Sequence, residues 1–270
     1  MSAFRPFFLE TDSGRRLFTY HPSKPACKGT VLYVHPFAEE MNKSRRMAAM
    51  QARSLKDAGY SVLQIDLYGC GDSEGDFRDA RWEIWKSDLR MGLDWLKAQH
   101  DLPVTLWGLR LGALLALDFA SDENFSLEKM VLWQPVHSGE AHLAQFLRLR
   151  LANAMIAGKE KVGLQDLKRE LASNGTLEIA GYELPHELAE SIGRLKLEEL
   201  GKPGIPHHWL ETMPDTSAAL PPASSRIVGA WERRGIAVEV HKVQGDPYWS
   251  TQEITDCPDL IAQTTRIFSA

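Results

Sequence analysis

The 270-residue sequence has few cysteines, no long apolar run and no excess of basic residues. Its three cysteines are far apart and lack C-x-x-C spacing, which argues against a disulfide framework or a zinc site. No stretch approaches the ~18 apolar residues of a membrane helix, and the N-terminus has no signal-peptide pattern. A net charge of -5 disfavours nucleic acid as a partner. We therefore expect a cytoplasmic protein with reduced thiols and no membrane span.

Short apolar runs alternate with longer helical patterns along most of the chain. This alternation predicts an α/β protein with a mostly parallel, twisted sheet covered by helices. The opening runs "FRPFFLET" and "RLFTYHP", around "DSGR", predict an antiparallel hairpin. One helix is predicted to start after an N-cap at Ser44 and to end at Gly59. The predicted core strands cover residues 29–36, 60–67, 104–109, 129–135, 207–213 and 236–245.

The alternation breaks after His137. Through about Gly204 the sequence reads as helical and charged, with amphipathic stretches such as "AHLAQFLRLRLANAMI". We expect residues 137–204 to form an inserted helical cap. The remaining residues, 1–136 and 205–270, would form the core domain.

Three segments, in order, carry a family resemblance. They are "VHPF" at 34–37, "DLYGCGDSEG" at 66–75 and "GLRLG" at 108–112. Together they resemble the α/β-hydrolase fold, which implies that the first lines an oxyanion hole and the third is a nucleophile elbow. "HPFAEEMNKSRRM", "GLRLGALLA" and "EIAGYEL" are more narrowly similar to exosortase A system-associated hydrolases of the second type. That resemblance implies a hydrolase in a bacterial setting of exopolysaccharide production and surface-protein sorting.

The resemblance places Arg110 at the apex of the elbow. Gly108 and Gly112 supply the small residues that the tight turn needs two positions away on either side. A guanidinium has no lone pair with which to attack and stays protonated. We therefore predict that this position supports no covalent catalysis.

The other members of a serine-type triad are also in doubt. A hydrolase of this class carries its histidine on the loop after the last strand, but here that loop, residues 244–251, has none. The last histidine, His241, lies about six residues too early, or roughly 20 Å of extended chain. Asp215 follows the penultimate strand, where the resemblance places the acid, and Asp246 lies in the last loop. Asp215 is either an exposed loop residue or ion-pair partner, or part of the site.

The remaining groups suggest an anion site. The backbone N–H of Leu111 follows the elbow residue, and His35 and Phe37 lie in the oxyanion-hole segment. With Arg110 they would converge at a helix N-terminus, which favours a carboxylate or phosphate. We expect a small anionic or acyl-bearing ligand at this point.

Internal neutralisation of Arg110 is the alternative to a ligand. A buried charge needs a partner, and Asp215, Asp246 and Glu39 are the candidates. The two interpretations are compatible if such a partner exchanges for ligand.

We predict no cofactor and no metal. The group of His35, Glu39 and Glu40 is better explained by the preference of acidic residues for a helix start. His207 and His208 are adjacent, so on a strand they face opposite ways and cannot share one ion.

Two functions remain open, and a third concerns the cap. Because nucleophile and base are both absent, we favour a binding protein without serine-hydrolase activity, a pseudoenzyme. The alternative is an active hydrolase, esterase or acyltransferase whose water is activated by Asp246, Asp215 or His35. The apolar stripe of the cap could also dock a protein partner, although such stripes more often pack on their own domain.

Overall fold

The computed structural model describes residues 4–24, 26–122, 126–156, 163–253 and 255–269. Eight strands form one sheet in the order β1-β2-β4-β3-β5-β6-β9-β10, and β7 pairs with β8 separately. The strands are β1 (Arg5–Thr11), β2 (Gly14–His21), β3 (Gly29–Val34), β4 (Tyr60–Ile65), β5 (Val104–Leu109), β6 (Lys129–Trp133), β7 (Thr176–Ile179), β8 (Tyr182–Pro185), β9 (His207–Met213) and β10 (Val238–Gln244).

The sheet is antiparallel at one edge and parallel elsewhere. β1 and β2 form the predicted hairpin, and β2 pairs antiparallel with β4. The other five pairings, from β4 to β10, are parallel. Every residue of β3 and β5 is buried, as near-continuous apolar strands in the middle of a covered sheet must be. The predicted α/β class is confirmed.

Helices cover both faces of this sheet. They are α1 (Glu39–Asp57), α2 (Trp82–Gln99), α3 (Leu111–Asp122), α4 (Gly139–Ile156), α5 (Leu164–Asn174), α6 (His186–Gly193), α7 (Pro222–Arg233) and α8 (Pro258–Ser269). Leu55 of α1 and Leu260 of α8 share one apolar cluster with the odd-numbered strand residues Trp107 and Trp133. The even-numbered Leu106 and Leu132 belong to the other cluster, with residues of α2, α3 and α7. None of the helices in the described ranges is long and apolar enough to cross a bilayer.

The start of α1 corrects the sequence prediction. The helix begins at Glu39, five residues before the predicted N-cap, and its own N-cap residue is Ala38, without a side-chain cap. Ser44 is fully buried inside the helix. The two glutamates of the first turn face the positive end of the helix dipole, so acidic residues mark this start in place of a capping hydroxyl.

The segment inserted between β6 and β9 is not wholly helical. It contains α4, α5 and α6, but residues 176–185, read as helical from the sequence, form the β7–β8 hairpin. Ala180 and Gly181 both have positive φ, 50° and 86°, as a tight two-residue hairpin turn requires. Residues 157–162 of the predicted cap lie outside the described residues. The boundaries at 137 and 204 stay a prediction.

Candidate functional site

The turn between β5 and α3 is a sharp elbow with Arg110 at its apex. Arg110 has a φ of 55°, and its N–H donates to the carbonyl of Trp133 at 2.9 Å. A Cβ on Gly108 would lie 2.4 Å from Cα of Ala113, and one on Gly112 would lie 2.3 Å from the carbonyl oxygen of His35. The turn therefore accepts only glycine at these two positions, as the sequence predicted.

The guanidinium of Arg110 has three different neighbours. Its Nε–H donates to Oε1 of Glu40 at 3.3 Å, and Nη1 donates to the carbonyl oxygen of Gln134 at 3.4 Å. The indole of Trp249 covers it, with 5.2 Å between the guanidinium carbon and the ring centroid. Both hydrogen bonds are long, so the charge is held loosely compared with a close bidentate pair. The side chain keeps 14% of its surface exposed.

Glu40, the ion-pair partner, lies in the first turn of α1. Burial raises the pKa of this carboxyl to about 7, although the nearby Arg110 guanidinium opposes the shift. Its second oxygen, Oε2, is buried and finds no hydrogen-bond partner among the described residues. Burial also raises the pKa of the adjacent Glu39. The cleft formed by Arg110, Glu40 and Trp249 therefore holds a carboxyl group that titrates near neutral pH and has one oxygen without a hydrogen-bond donor in the described ranges.

Backbone strain collects around the cleft. Three non-glycine residues in this region have a positive φ: Ala38 (48°), Arg110 (55°) and Gln134 (42°). Ala38 precedes the helix that carries Glu40, and Gln134 supplies the carbonyl that Arg110 contacts. Such conformations cost on the order of 1–3 kcal/mol each and persist where surrounding packing imposes them. They indicate that this region is built for a purpose other than stability.

Two neutral histidines stand within the electrostatic reach of Arg110. His142 of α4 is buried, and neither of its ring nitrogens has a hydrogen-bond partner in the described part of the chain. Burial, with the Arg110 charge, lowers the pKa of His142 to about 3. The same two causes lower the pKa of His137, whose Nε2 lies 3.3 Å from Oγ of Ser224. Both rings therefore remain uncharged beside the guanidinium.

A second buried carboxyl group, that of Glu211, lies within the electrostatic reach of Arg110. The indole N–H of Trp209 donates to it at 2.7 Å, and the amide of Gln134 donates at 3.2 Å. The hydroxyl of Ser224 donates to the same carboxyl at 3.3 Å. Burial raises the pKa of Glu211, while these donors and the charge of Arg110 oppose the shift. This network holds Gln134 in its strained conformation, and through it the carbonyl that Arg110 contacts.

A cavity of about 110 Å³ lies between this cleft and the inserted segment. Its lining comes from the start of α1, from α4 and from the last loop, and includes Phe37, Glu40, His142, Phe146 and Trp249. The rings of Phe37 and Phe146 pack edge to face, 5.1 Å apart. The cavity has room for a short acyl group, but it is smaller than the apolar cavity of about 150 Å³ that holds a benzene-sized molecule.

A model of the family "Serine aminopeptidase, S33" matches residues 25–184, more than half of the chain. The chain belongs to this hydrolase family. Human protein ABHD12B is 29% identical over 153 residues, covering 48% of this chain and 41% of the relative. The matches span about two-fifths of the length of the curated relatives.

Solved structures with this fold cover nearly the whole chain. Est1E from Butyrivibrio proteoclasticus with bound ferulic acid has a TM-score of 0.69, 17% identity and 97% coverage of both chains. A thermostable carboxyl esterase from Bacillus coagulans, in complex with glycerol, has a TM-score of 0.68 and 15% identity, covering 100% and 99%. At these identities the likeness establishes the α/β-hydrolase fold of the S33 family member and nothing about its substrate.

The predicted anion-binding residues of this S33 family member surround the elbow, but one of them is already engaged. Leu111 is the first residue of α3, so its N–H is one of the donors without a partner inside the helix. Phe37 is buried and lines the cavity. His35 has both ring nitrogens occupied: Nδ1 lies 2.7 Å from the carbonyl of Pro36, and Nε2 accepts from the N–H of Leu67. Its imidazole is a structural brace for this loop.

The residues predicted as acids or ion-pair partners lie elsewhere. Asp215 is exposed, and its carboxylate accepts hydrogen bonds from the backbone and hydroxyl of Ser217. Asp246 is exposed as well. The carboxylate that faces Arg110 belongs to Glu40, so the expected partners Asp215, Asp246 and Glu39 are corrected to this residue.

Sequence reasoning missed Trp249 and His142, which complete the surroundings of Arg110. Trp249 lies on the loop where the family resemblance placed a histidine, and nothing in the sequence of that loop indicates its role. His142 comes from α4, whose packing above the elbow the sequence could not position. The only hint in the sequence was a histidine within a largely apolar helical stretch.

Proposed function

We propose that this chain is a hydrolase scaffold that binds a small molecule bearing a carboxylate or similar anion, without serine-hydrolase activity. One observation carries the proposal: a guanidinium stands at the apex of the elbow, held loosely by Glu40 and covered by Trp249. A cation there cannot act as a nucleophile, but it is well placed to pair with an anion beside the N-terminus of α3.

Binding would proceed by exchange. A ligand carboxylate would displace the carboxyl group of Glu40 from Arg110, and its short acyl portion would enter the adjoining cavity. Since the pKa of Glu40 is about 7, the displaced group can take up a proton and avoid repulsion of the incoming anion. Anion affinity should therefore increase as the pH falls through 7.

Titration with acetate and butyrate, whose own charge does not change near pH 7, tests this exchange. Arg110→Ala should weaken binding about 10- to 100-fold, from the roughly 1.5–3 kcal/mol of a hydrogen bond to a charged group. Glu40→Gln should strengthen binding at pH 8 and remove its pH dependence. Arg226→Ala, which removes an exposed arginine paired with Glu198, is the matched control and should bind like the wild type. Equal affinities in wild type and Arg110→Ala would remove Arg110 from the site.

A second candidate function has one observation in its favour. A buried glutamate with a pKa near 7 and an unused oxygen has the properties of a general base. Glu40 could then activate water against an ester or thioester whose carbonyl oxygen is bound by Arg110 and the N–H of Leu111. In this mechanism Glu40 takes the proton of the attacking water and later returns it to the leaving group.

Aryl esters, thioesters and a fluorophosphonate probe separate the two functions. The binding proposal predicts no turnover above background and no labelled serine. Turnover that is lost in Glu40→Gln would support the second function and contradict the first. Labelling of a serine would contradict both, because neither uses a serine nucleophile.

The biological setting is the remaining part of the proposal. The similarity to exosortase A system-associated hydrolases supports a role near exopolysaccharide production, in the cytoplasm. A deletion strain should then change exopolysaccharide yield or surface-protein sorting, and Arg110→Ala should reproduce the defect.

A further inference from the structure

Three metal-binding side chains meet on the last two strands of the sheet. His208 of β9 lies directly across from Glu239 of β10, and His241 follows two residues later on β10. Side chains two apart on a strand point to the same face. His207 and His208 face opposite ways because they are neighbours on one strand, whereas His208, Glu239 and His241 lie on the same face of two paired strands. This face is covered by α8.

The distances among the donor atoms suit a single small cation. Nδ1 of His208 lies 3.2 Å from Nε2 of His241 and 3.5 Å from Oε2 of Glu239. One donor atom from each residue falls within 4.8 Å of the others. Zinc bonds of ~2.1 Å in tetrahedral geometry place neighbouring ligand atoms about 3.4 Å apart. The three groups are thus nearly in position before an ion arrives.

We propose that His208, Glu239 and His241 bind one Zn²⁺ ion, with water in the fourth position. The donor set of two imidazoles and a carboxylate is one that zinc accepts. Glu239 is exposed over 68% of its side chain, so ion and water can reach the site from solvent. The ion would tie the edge strand β10 to β9.

A fourth residue supports the imidazole of His241 from behind. The side-chain amide nitrogen of Gln263, on α8, lies 2.9 Å from Nδ1 of His241. Turned by 180°, the same amide would present its oxygen to the Nδ1–H and leave Nε2 free to bind the metal. Zinc binds the neutral imidazole. The charge of Lys129 acts on His208 and opposes a cation there.

Calorimetric titration of untagged, chelator-treated protein with Zn²⁺ tests the site. We expect one equivalent per chain in the wild type. Glu239→Gln and His241→Ala should each reduce affinity at least about tenfold, and Gln263→Leu about 10- to 100-fold. His186→Ala, a histidine of the inserted segment, is the matched control and should leave binding unchanged.

Two further results decide the outcome. Because Glu239 is exposed, Glu239→Gln keeps the fold even if a histidine variant does not, and circular dichroism checks this. Anomalous diffraction at the zinc edge should place the ion between β9 and β10. Absence of saturable binding, or equal binding in wild type and Glu239→Gln, would overturn the proposal.

Discussion

Replacing Arg110 with methionine should destabilise the protein by an amount that grows with pH. Methionine keeps much of the length and apolar contact of arginine but removes the charge beside Glu40. At low pH Glu40 is protonated and needs no counterion, so the cost is confined to packing. At high pH the variant must either bury the ionised carboxylate of Glu40 without a counterion or keep that carboxyl protonated, and both cost free energy.

The magnitude follows from the pKa of Glu40. Its value of about 7 in the folded protein exceeds the ordinary 4.5, so its stabilising contribution is complete below pH 4.5 and is lost as the pH rises through 7. Without Arg110 we expect this pKa to move by a further two units or so, to the upper range known for buried glutamates. At ~1.36 kcal/mol per unit, and with the carboxyl of the variant half protonated at pH 9, Arg110→Met should lose about 2.3 kcal/mol more stability at pH 9 than at pH 5.

Urea denaturation at pH 5, 7 and 9 measures this difference directly, with m-values checked for constancy. In a Glu40→Gln background, most of this pH dependence should disappear, because only the effects of Arg110 on Glu211, His137 and His142 remain. An equal loss at pH 5 and pH 9 in the single variant would refute the reasoning, since it would mean that Glu40 does not depend on Arg110.

Three further predictions concern stability, and urea denaturation checks each one at pH 7 and the third also at pH 5. Gly112→Ala should cost about 1–3 kcal/mol because its Cβ would meet the His35 carbonyl, whereas Gly193→Ala, 3.8 Å from its nearest neighbour, should be neutral or stabilising. Asp88→Asn should cost about 3–5 kcal/mol because it leaves the buried guanidinium of Arg16 uncompensated, and Glu74→Gln at the exposed pair with Arg15 should change little. His142→Leu should be neutral or stabilising at pH 7, because neither imidazole nitrogen is paired; since the histidine pKa is lowered, its contribution is lost as the pH falls below 6.5, and the variant should keep more stability at pH 5.

Most strands of the sheet were predictable because each has a recognisable local sequence pattern. β5 and β9 match the predicted ranges residue for residue. β5 was found because a strand buried on both faces must be largely apolar, whereas β9 was found although it contains His207, His208 and Glu211. The β7–β8 hairpin was missed because its turn, Ala180–Gly181, lacks the asparagine or aspartate that usually marks such a turn. Local sequence patterns located most of the elements, and the β7–β8 hairpin was missed because the pattern at its turn is weak.

The site was harder because its partners come from distant parts of the chain. The sequence correctly required a carboxylate for Arg110, but it offered several, and proximity depends on how α1 and the last loop meet the elbow. Trp249 shows the same limit, because nothing in "QGDPYWST" indicates that an indole covers the guanidinium. Physical chemistry predicted the need for partners, and only the fold selected them.

Two errors of the sequence analysis concern the same stretch of chain. The sequence pattern predicts an N-cap at Ser44 and gives Glu39 rather than Glu40 as a partner for Arg110, although acidic residues are expected at a helix start. With α1 starting at Glu39, Glu40 lies in the first turn and is buried against the elbow. A helix start rich in glutamate would ordinarily stabilise the ionised carboxyl, yet burial raises the pKa of Glu40 to about 7. The charge at the elbow is therefore balanced by a group that can give up its charge, which is the property that an exchangeable anion site requires.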